Sequence, residues 1–454
     1  MRRSLAATTS ALALAGCSLD ACWFEQQDGA TGGAAPTSSW PTSSSTGVTG
    51  TLTGGPCPEE PLPLLVPEGW VEYPNWSCAC RFYVPGPGVV ADPLEWGPCP
   101  SSAADAGLAC RAMKYPQPVS VATPVPDLLH NADGSHSLVL RRNLKPEHVS
   151  VIADIEGPVR NAVLSIWPNQ PSPSCFLAWQ RAGDDRFVIQ VIGSDAAGGS
   201  QSSVTEGAIG GFIDAPTPTV LARYQDGLKY DWWASGTWFV REDTLYRVYA
   251  SAWDTSDEYF VTSQSADPEG LQIGNILVYR DTVFWESSSS LRSGINVWRL
   301  DTGAMPFVRY LGDFTRGAQN FGTDGVDMVW SYGEGKAPND MYYPVRAVMT
   351  APFTTDPSAL APRRLRSHPG ANLSTTAWQV GCGYATRVAT GPNTVYVVRI
   401  SDGWAWEIPQ LAGLSLFAGV GLTCDEVFAY GSVNNVQNVV RIRLDSLGPG
   451  MPPD

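Results

Sequence analysis

Residues 274–312 read GNILVYRDTVFWESSSSLRSGINVWRLDTGAMPFVRYLG. In this stretch, four runs of apolar, β-branched and aromatic residues are separated by short polar or glycine-containing segments. A period of two between apolar positions is typical of strands, and the polar segments are typical of turns. The stretch therefore predicts four antiparallel strands in succession: Ile276–Arg280, Thr282–Glu286, Ile295–Leu300 and Phe307–Leu311.

The same pattern recurs along the chain. The next four predicted strands are Gln319–Thr323, Asp327–Ser331, Tyr343–Thr350 and Arg363–Ser367. A turn followed by apolar and aromatic residues occurs five times, with equivalent positions at Trp238, Val283, Met328, Val395 and Val427. The steps between these positions are 45, 45, 67 and 32 residues, and the last two together span 99 residues, or two further periods. A period of this size matches one four-stranded propeller blade.

This repeat makes residues 126–454 resemble the β-propeller superfamily. Further strands predicted upstream add about two blades in a looser register: Ser137–Arg141, Val149–Ile155, Asn161–Ile166, Phe176–Gln180 and Arg186–Ile192. The resemblance implies an all-β propeller of about seven four-stranded blades, and six or eight blades are compatible with the same register. Tandem β-sandwiches are the alternative that a long series of short strands allows.

The composition limits the classes of partner. The 454 residues carry a formal charge of −15 with a pI near 4.7. An acidic body is repelled by nucleic acid, so no nucleic-acid partner is expected. Only 16% of the residues are charged, while glycine and proline are abundant. Turns and short strands fit this composition better than long charged helices do.

The N-terminus predicts export. Arg2 and Arg3 precede an apolar run that is too short to span a bilayer. The run ends in Leu14-Ala15-Gly16-Cys17, which resembles a bacterial lipobox, the site where a signal peptidase cleaves before a lipid-bearing cysteine. The resemblance implies a signal peptide over residues 1–16 and membrane attachment through lipid on Cys17. Because Ser18 and not an aspartate follows, it also implies an outer-membrane lipoprotein of the cell envelope, with surface exposure as one arrangement.

Two segments lie between this leader and the predicted propeller. Residues 17–56 are dominated by Thr, Ser, Gly, Ala and Pro, a composition typical of a disordered tether. Residues 57–125 are rich in Cys, Pro and Trp and are interpreted as an N-terminal lead-in packed on the body. Ten cysteines fit an oxidising compartment. A Cys99–Cys110 disulfide would close a short loop, and on the propeller interpretation Cys382 and Cys424 fall in inner strands of adjacent late blades, which makes Cys382–Cys424 a second candidate pair.

No catalytic pattern is recognisable in the sequence. A Gly-x-Ser-x-Gly elbow, His-Glu-x-x-His and Asp-x-Asp-x-Asp-Gly are all missing. The four histidines form no helical metal-binding pair: His130, His136, His148 and His368. Asp133-Gly134, between the first two, is typical of a hairpin turn. We therefore predict no catalytic residue, no cofactor and no metal site. The remaining loop carboxylates are interpreted as turn residues: Asp184, Asp185, Asp254, Asp257, Glu258, Asp324 and Asp327.

Dense aromatic clusters are the last functional signal. Trp233 and Trp404 belong to clusters that could stack on sugars, although strand alternation also places such rings in a core. The favoured function is a non-enzymatic, lipid-anchored envelope module whose propeller loops bind a protein or a glycan. The alternative is an envelope hydrolase or lyase with a metal site in the propeller channel.

Overall fold

The computed structural model of the chain divides into two units, residues 1–44 and 45–454. All residues that the structure describes belong to the second unit. They are residues 69–72, 80–89, 95–118, 128–130, 136–144, 147–156, 159–166, 180–181, 186–194, 203–212, 219–222, 231–235, 238–242, 247–252, 258–263, 272–288, 293–300, 309–310, 318–334, 345–369, 377–389, 394–408, 415–433 and 436–454. The lipobox with Cys17 and the tether predicted over residues 17–56 lie outside them.

The described residues are mostly strands. The first part of the chain forms β1 (Trp70–Glu72), β2 (Cys80–Pro85), β3 (Gly97–Pro98), the short helix α1 (Ser101–Asp105), β4 (Cys110–Pro118), β5 (Leu128–His130), β6 (His136–Leu144), β7 (Glu147–Asp154) and β8 (Val159–Ile166). The middle part forms β9 (Gln180–Arg181), β10 (Arg186–Ser194), β11 (Ser203–Phe212), β12 (Thr219–Ala222), β13 (Asp231–Ser235), β14 (Trp238–Glu242), β15 (Arg247–Ala252) and β16 (Glu258–Ser263).

The remaining strands cover the last two fifths of the chain. They are β17 (Gln272–Tyr279), β18 (Thr282–Ser288), β19 (Ser293–Arg299), β20 (Arg309–Tyr310), β21 (Ala318–Thr323), β22 (Asp327–Glu334), β23 (Val345–Pro352), β24 (Arg363–Pro369), β25 (Gln379–Gly381), β26 (Tyr384–Ala389), β27 (Thr394–Arg399), β28 (Ala405–Ile408), β29 (Ser415–Leu422), β30 (Glu426–Val433) and β31 (Val436–Arg443). Short 3-10 turns occur at Pro357–Ala359 and Leu444–Ser446. No helix in the described part of the chain is both long and apolar enough to cross a membrane.

The described strands form seven antiparallel sheets, here called blades 1 to 7. Blade 1 contains β5–β8 extended by β2 and β1, blades 2 to 6 take four consecutive strands each from β9 to β28, and blade 7 contains β29–β31 followed by β4 and β3. The first strands of blades 2 to 7 contact one another in order. The sheets are therefore arranged around a common centre with the first strand innermost. This is the expected all-β propeller, and the tandem-sandwich alternative does not apply.

Strands from distant parts of the chain close the ring. β31 pairs with β4, with Val440 opposite Ala112 and Ile442 opposite Cys110, and β3 pairs with the other edge of β4. β4 also contacts β6 of blade 1. In blade 1, β2 pairs with β8, with Phe82 opposite Val163. The Cys/Pro/Trp-rich segment therefore supplies strands to two blade sheets, which its composition did not predict.

The hydrophobic core lies between the blades. In the second strand of a blade, successive side chains are buried in opposite seams, because each sheet is covered by a neighbour on both faces. This explains why these strands contain continuous apolar runs rather than a strict alternation of apolar and polar residues. In blade 4, Val283 and Trp285 pack against blade 3, while Phe284 packs against blade 5. In blade 5, Met328 and Trp330 face blade 4, while Val329 faces blade 6. In blade 7, Val427 and Ala429 face blade 6, while Phe428 and Tyr430 face blade 1.

The strands predicted for blades 4 and 5 all occur, with ends displaced by a few residues. Two of the five equivalences behind the repeat differ in the structure. Trp238 is the first residue of β14 and corresponds to Thr282, one residue before Val283, and Val395 lies in the wrong strand. Val395 lies in β27, the third strand of blade 6, whereas the second strand is β26. The equivalent residue is Ala385, which is buried against blade 5 as Met328 is buried against blade 4. With this change the late steps become 57 and 42 residues, so no blade is missing from the count.

The loop between Cys99 and Cys110 contains a helical turn that the sequence did not predict. The Ala103 and Ala104 N–H groups both donate to the Pro100 carbonyl at 3.0 Å, and α1 follows from these bonds. Ala103 is buried in the cluster between blades 6 and 7. Packing of this small side chain stabilises a helix of five residues that would be unstable in isolation.

Candidate functional site

One face of the propeller carries the turns that join first to second strands. In blades 4 to 7 these turns are residues 280–281, 324–326, 382–383 and 423–425. Because each of these blades begins with its innermost strand, all the innermost strands run in one direction along the central axis, and these turns share one face. The connections from third to fourth strands lie on the same side, including residues 353–362 and 400–404. We call this surface the turn face.

A recurring backbone bond fixes the turn face. In five blades, the residue that follows the third strand donates its N–H to a backbone carbonyl. In blades 4 to 7 this carbonyl belongs to the turn before the second strand, and in blade 1 it belongs to the first residue of the second strand. The bonds are Leu300 to Asp281 (2.7 Å), Phe353 to Val326 (2.8 Å), Ile400 to Gly383 (2.8 Å), Leu444 to Asp425 (2.8 Å) and Ile155 to His136 (3.1 Å). The equivalent bond in five blades gives these turns a defined geometry.

A disulfide joins two of these turns. The Cys382–Cys424 pair links the turn of blade 6 to the turn of blade 7, with the Cα atoms 5.1 Å apart. Cys382 has φ +50° and Gly383 φ +79°, the values of a tight two-residue hairpin turn. The sequence placed both cysteines in inner strands, and this is wrong, because each lies in the turn after its inner strand, where both are exposed. Their blades are adjacent as expected. The structure also contains the Cys99–Cys110 pair.

Asp324 is a turn residue. Its Oδ1 accepts hydrogen bonds from the Val326 and Asp327 N–H groups, each at 2.9 Å. Burial raises the pKa of Asp327, as does the Asp324 carboxylate, against the opposing effect of Arg363. The turn interpretation therefore matches the geometry of Asp324, whereas Asp327 is the first residue of β22. At the tip of the same turn Val326 is 71% exposed.

The second aromatic cluster lies at the edge of the turn face in blade 6. Trp404 is half-buried, and its backbone N–H donates to Asp402 Oδ1 at 3.2 Å. The Arg399 guanidinium forms a bidentate pair with Asp402 (2.6 Å at the shortest) and lies 5.6 Å from the Trp406 ring centroid. This hydrogen bond raises the pKa of Arg399 and holds the pKa of the Asp402 carboxyl below its usual range. Trp233, the other aromatic residue that the sequence suggested for sugar stacking, lies in β13, the innermost strand of blade 3.

A buried polar group between blades 5 and 6 was missed by the sequence reasoning. Ser331 Oγ accepts from Trp378 Nε1 at 3.1 Å and from Arg387 Nη1 at 2.9 Å. Arg387 is fully buried, and its guanidinium lies 5.8 Å from the Trp378 ring centroid. In the sequence of β26, YATRVA, Arg387 is a charged residue directly after Thr386, so nothing marks it as interior.

A second buried contact links blades 4, 5 and 6 near the centre. Glu286 Oε1 accepts from the Phe321 N–H at 2.9 Å, and the Asn320 carbonyl accepts from the Trp378 N–H at 3.1 Å. Asn320 has φ +61° at an irregularity in β21. The cavity beside Glu286 has a volume of about 10 Å³, which is enough for one water molecule and too small for an organic ligand.

An ion-pair cluster occupies the seam between blades 7 and 1. Arg441 is buried, and its Nε bonds to both Glu426 oxygens at 2.9 and 3.0 Å, while Nη1 pairs with Glu156. The Arg441 guanidinium lies 5.0 Å from the Trp96 ring, and Trp96 Nε1 donates to the Ile155 carbonyl at 2.8 Å. Burial acts to lower the pKa of Arg441, but the bonds to Glu426 and Glu156 outweigh it and the pKa is raised.

The other predicted positions are dispersed. His130 and His136 are register partners in the β5–β6 hairpin, whereas His148 lies in β7 and His368 in β24 of blade 5. Glu258 begins β16. Within the described ranges, no three His, Cys, Asp or Glu side chains lie close enough together to hold a metal ion. The expectations for the following residues concern positions outside those ranges: Asp133, Gly134, Asp184, Asp185, Asp254 and Asp257.

No family model matches the chain, and no curated protein matches it significantly. Similar solved structures include an oligogalacturonate lyase from Vibrio parahaemolyticus, with 10% identity, a TM-score of 0.48, and coverage of 78% of this chain and 99% of the lyase. A prolyl endopeptidase is 16% identical with a TM-score of 0.42, covering 62% of this chain and 42% of the peptidase. The WD40 domain of SCAP from fission yeast is 11% identical with a TM-score of 0.36, covering 70% and 84%. These similar structures include both enzymes and WD40 domains.

Proposed function

We propose that this protein is a lipid-anchored module of the cell envelope that binds a macromolecular ligand on its turn face without converting it. The observation that carries the proposal is the Cys382–Cys424 disulfide between the turns of blades 6 and 7. A covalent link between exposed turns limits their motion, and a preorganised surface loses less conformational entropy when a ligand binds.

The turn face favours a protein ligand. The backbone bonds at Gly383, Val326 and Asp425 hold neighbouring turns in fixed geometry, as is common for loops presented on a rigid scaffold. Val326 presents an apolar side chain at the tip of one turn, and its burial in an interface would be favourable. The half-buried Trp404 at the edge of blade 6 supports a glycan as the second candidate, because the accessible part of an aromatic ring can stack on a sugar.

The anchor is tested by membrane fractionation of cells that express the full chain. The variant Cys17→Ala is expected to move from the membrane fraction to the soluble envelope fraction. Cys22→Ala is the matched control, because it removes a nearby cysteine outside the lipobox. If Cys17→Ala stays in the membrane fraction at normal levels, the protein is not anchored through this residue.

Ligand binding is tested with a photoreactive amino acid placed on the full chain in intact cells. A probe at Val326 is expected to crosslink a discrete protein, whereas a probe at the exposed Glu95 is not. Trp404→Ala is expected to leave this crosslink unchanged for a protein ligand, and to abolish retention on glycan beads if the ligand is a sugar. Equal labelling from both probe sites would contradict a binding role for the turn face.

Metal analysis of the purified protein tests the enzyme alternative. A stoichiometric Ca²⁺ or Zn²⁺ whose removal abolishes a hydrolytic or lyase activity would replace the binding function with the enzyme alternative.

A further inference from the structure

A second site lies outside the turn face, along the outer strands of blades 5 and 6. Residues 448–454, here called the strap, lie against Leu365–Ser367 of β24 and Ala405–Trp406 of β28. We call these five residues the strap groove. The strap contacts the groove through backbone pairing, apolar packing and a hydrogen bond to a carboxylate, which are the kinds of contact that proteins use to bind extended peptides.

Backbone pairing is the first of these contacts. The Met451 N–H donates to the Ala405 carbonyl at 2.7 Å, and the Ala405 N–H donates to the Met451 carbonyl at 3.1 Å. This is an antiparallel bridge on the outer edge of blade 6. Addition of an extended segment to a free sheet edge is a general mode of peptide recognition.

Side-chain contacts give the groove selectivity. The Met451 side chain packs against the buried cluster between blades 5 and 6. A Cβ atom at Gly450 would lie 2.7 Å from Trp406 Cε2 and 2.9 Å from the Ala405 carbonyl, so only glycine fits before the methionine. Three residues after Met451, the Asp454 carboxylate accepts from the Ser367 N–H, and Arg366 Nη1 donates to the Met451 carbonyl at 3.4 Å. The strap therefore places in the groove a glycine, then a long apolar side chain, then a carboxylate.

The strap is a weak occupant of this groove. Pro449, Pro452 and Pro453 lack an N–H group and cannot extend the pairing beyond Met451. Pro452, Pro453 and Asp454 are exposed, and the strap begins at the exposed Gly448 with φ +69°. A segment with few buried contacts and one bridge to the sheet opens at low free energy.

We propose that the strap groove is a peptide-binding site that the strap covers in the unbound protein, and that its partner is an extended segment of another protein carrying Gly, a long apolar residue and, three positions later, a carboxylate. Such a segment without the prolines could pair along more of β28 than the strap does. A second copy of this chain is disfavoured as the donor, because the four residue steps from Leu447, which packs on the body, to Met451 span at most about 14 Å when extended. The strap acts as a tethered competitor that weakens binding in trans.

The test uses the full chain and a fluorescent synthetic peptide with the sequence of residues 447–454, LGPGMPPD. The double variant Met451→Ser/Asp454→Arg releases the strap and leaves the groove residues unchanged. We expect its Kd for the peptide to be at least about tenfold lower than that of the unaltered protein, since the intramolecular competitor is lost. Pro452→Ala is the matched control and should keep the Kd within about twofold, because its exposed ring makes no bond to the groove. A peptide carrying Asp454→Arg should bind at least about tenfold more weakly.

Two results would overturn the proposal. One is a folded double variant that binds the peptide no better than the unaltered protein does. The other is unaltered protein that forms dimers through strap exchange on sedimentation, which would make a second copy the partner. Should the double variant fail to fold, hydrogen exchange of the unaltered protein decides the question. The Met451 amide is expected to exchange at least about a hundredfold faster than the amide of the buried Val397, and equal protection would show that the strap does not open.

Discussion

Blade 6 and blade 7 are adjacent sheets that are assembled from the chain in different ways. Blade 6 takes its four strands from the continuous stretch between Gln379 and Ile408. Blade 7 takes three strands from the end of the chain and two from the region around Cys110. A continuous blade can form from local contacts, whereas blade 7 must close a loop of more than 300 residues first. The closing sheet is therefore expected to depend on interactions that a continuous blade does not need.

The ion pairs of the two regions show this difference. Arg441 is buried and joins β31 to Glu426 of the neighbouring strand and to Glu156 at the end of β7. Arg399 pairs with Asp402 three residues away in an exposed turn of blade 6. Both arginines lie over a tryptophan ring. Only the ion pair of Arg441 connects segments that are distant in the sequence. Comparing the two pairs therefore tests how much such a contact contributes to closing the ring of blades.

The largest effect is expected from a core methionine of the closing strand. Met113→Ala in β4 and Met328→Ala in β22 remove the same side chain from buried positions that are 4% and 0% exposed. Each should lower the free energy of unfolding by about 2–5 kcal/mol. Met113→Ala should also speed hydrogen exchange in both β4 and β31, whereas Met328→Ala should affect blades 4 and 5 only. Denaturant unfolding and mass-spectrometric exchange measure the two quantities, and identical exchange patterns in the variants would remove the distinction between closing and continuous blades.

The two disulfides found among the described residues should stabilise the protein to different extents. Cys382–Cys424 closes a separation of 42 residues between blades, and Cys99–Cys110 closes 11 residues next to the closing strand. Loop-closure entropy predicts losses of about 4 and about 3 kcal/mol for the respective double serine variants. Thermal unfolding of the full chain with and without reductant provides the measurement. A reductant that leaves the melting temperature of the unaltered protein unchanged would show that neither link limits unfolding.

Much of the continuous part of the fold is predictable from the sequence. The runs Asp281–Glu286 and Asp327–Ser331 identify second strands because each is bounded by a turn and buried on both faces. The misplacement of Val395 has the same origin, since a third strand of blade 6 is also buried on both faces and contains a similar apolar run. Local pattern cannot tell which strand of a sheet it describes.

The closing strand and the buried polar contacts could not be predicted in this way. β4 reads CRAMKYPQP, with two prolines and two basic residues, and its partner β31 begins more than 300 positions later. Arg387 and Glu286 are charged residues in strands, and their burial depends on Ser331 and on the Phe321 N–H of a neighbouring blade. Pairings of this kind depend on tertiary geometry. The Cys382–Cys424 pair could be proposed because the repeat alone makes blades 6 and 7 adjacent.

A smaller effect is expected from the two arginines. Arg441→Met should lower the free energy of unfolding by about 1–3 kcal/mol, because Glu426 keeps a partly buried carboxylate without its cation. Arg399→Met should leave stability unchanged within error, because an exposed pair in one turn contributes little. Urea unfolding of both variants checks the prediction. An equal loss from both substitutions would mean that Arg399 has a structural role that its exposed position does not indicate.

The smallest effect concerns Asp454, which attaches the end of the chain to blade 5. Hydrogen bonds from the Ser367 side chain and N–H hold the pKa of Asp454 below its usual range, with a further contribution from Arg366 and Arg364. A depressed folded-state pKa means that this contact stabilises the strap above the usual aspartate pKa and that the stabilisation is lost as the pH falls through the folded value. The Ser367 amide resonance in a TROSY NMR titration from pH 6 to pH 2.5 should therefore move with a midpoint below about 3.9.

Asp454→Asn should abolish this transition and leave the amide of Trp404, which reports the Asp402 carboxylate, titrating as before. A midpoint at or above the usual aspartate value would show that the Asp454 carboxylate is not bound to blade 5 in solution.

The titration also extends the comparison between continuous and distant segments to the strap, which is the most weakly attached of them. Blade 7 is held by a ladder of backbone bonds and a buried ion pair, whereas the strap has one bridge and an exposed carboxylate. If Asp454 protonation exposes the Met451 amide to exchange while β4 stays protected, the strap opens independently of the ring, as a displaceable occupant of the groove must.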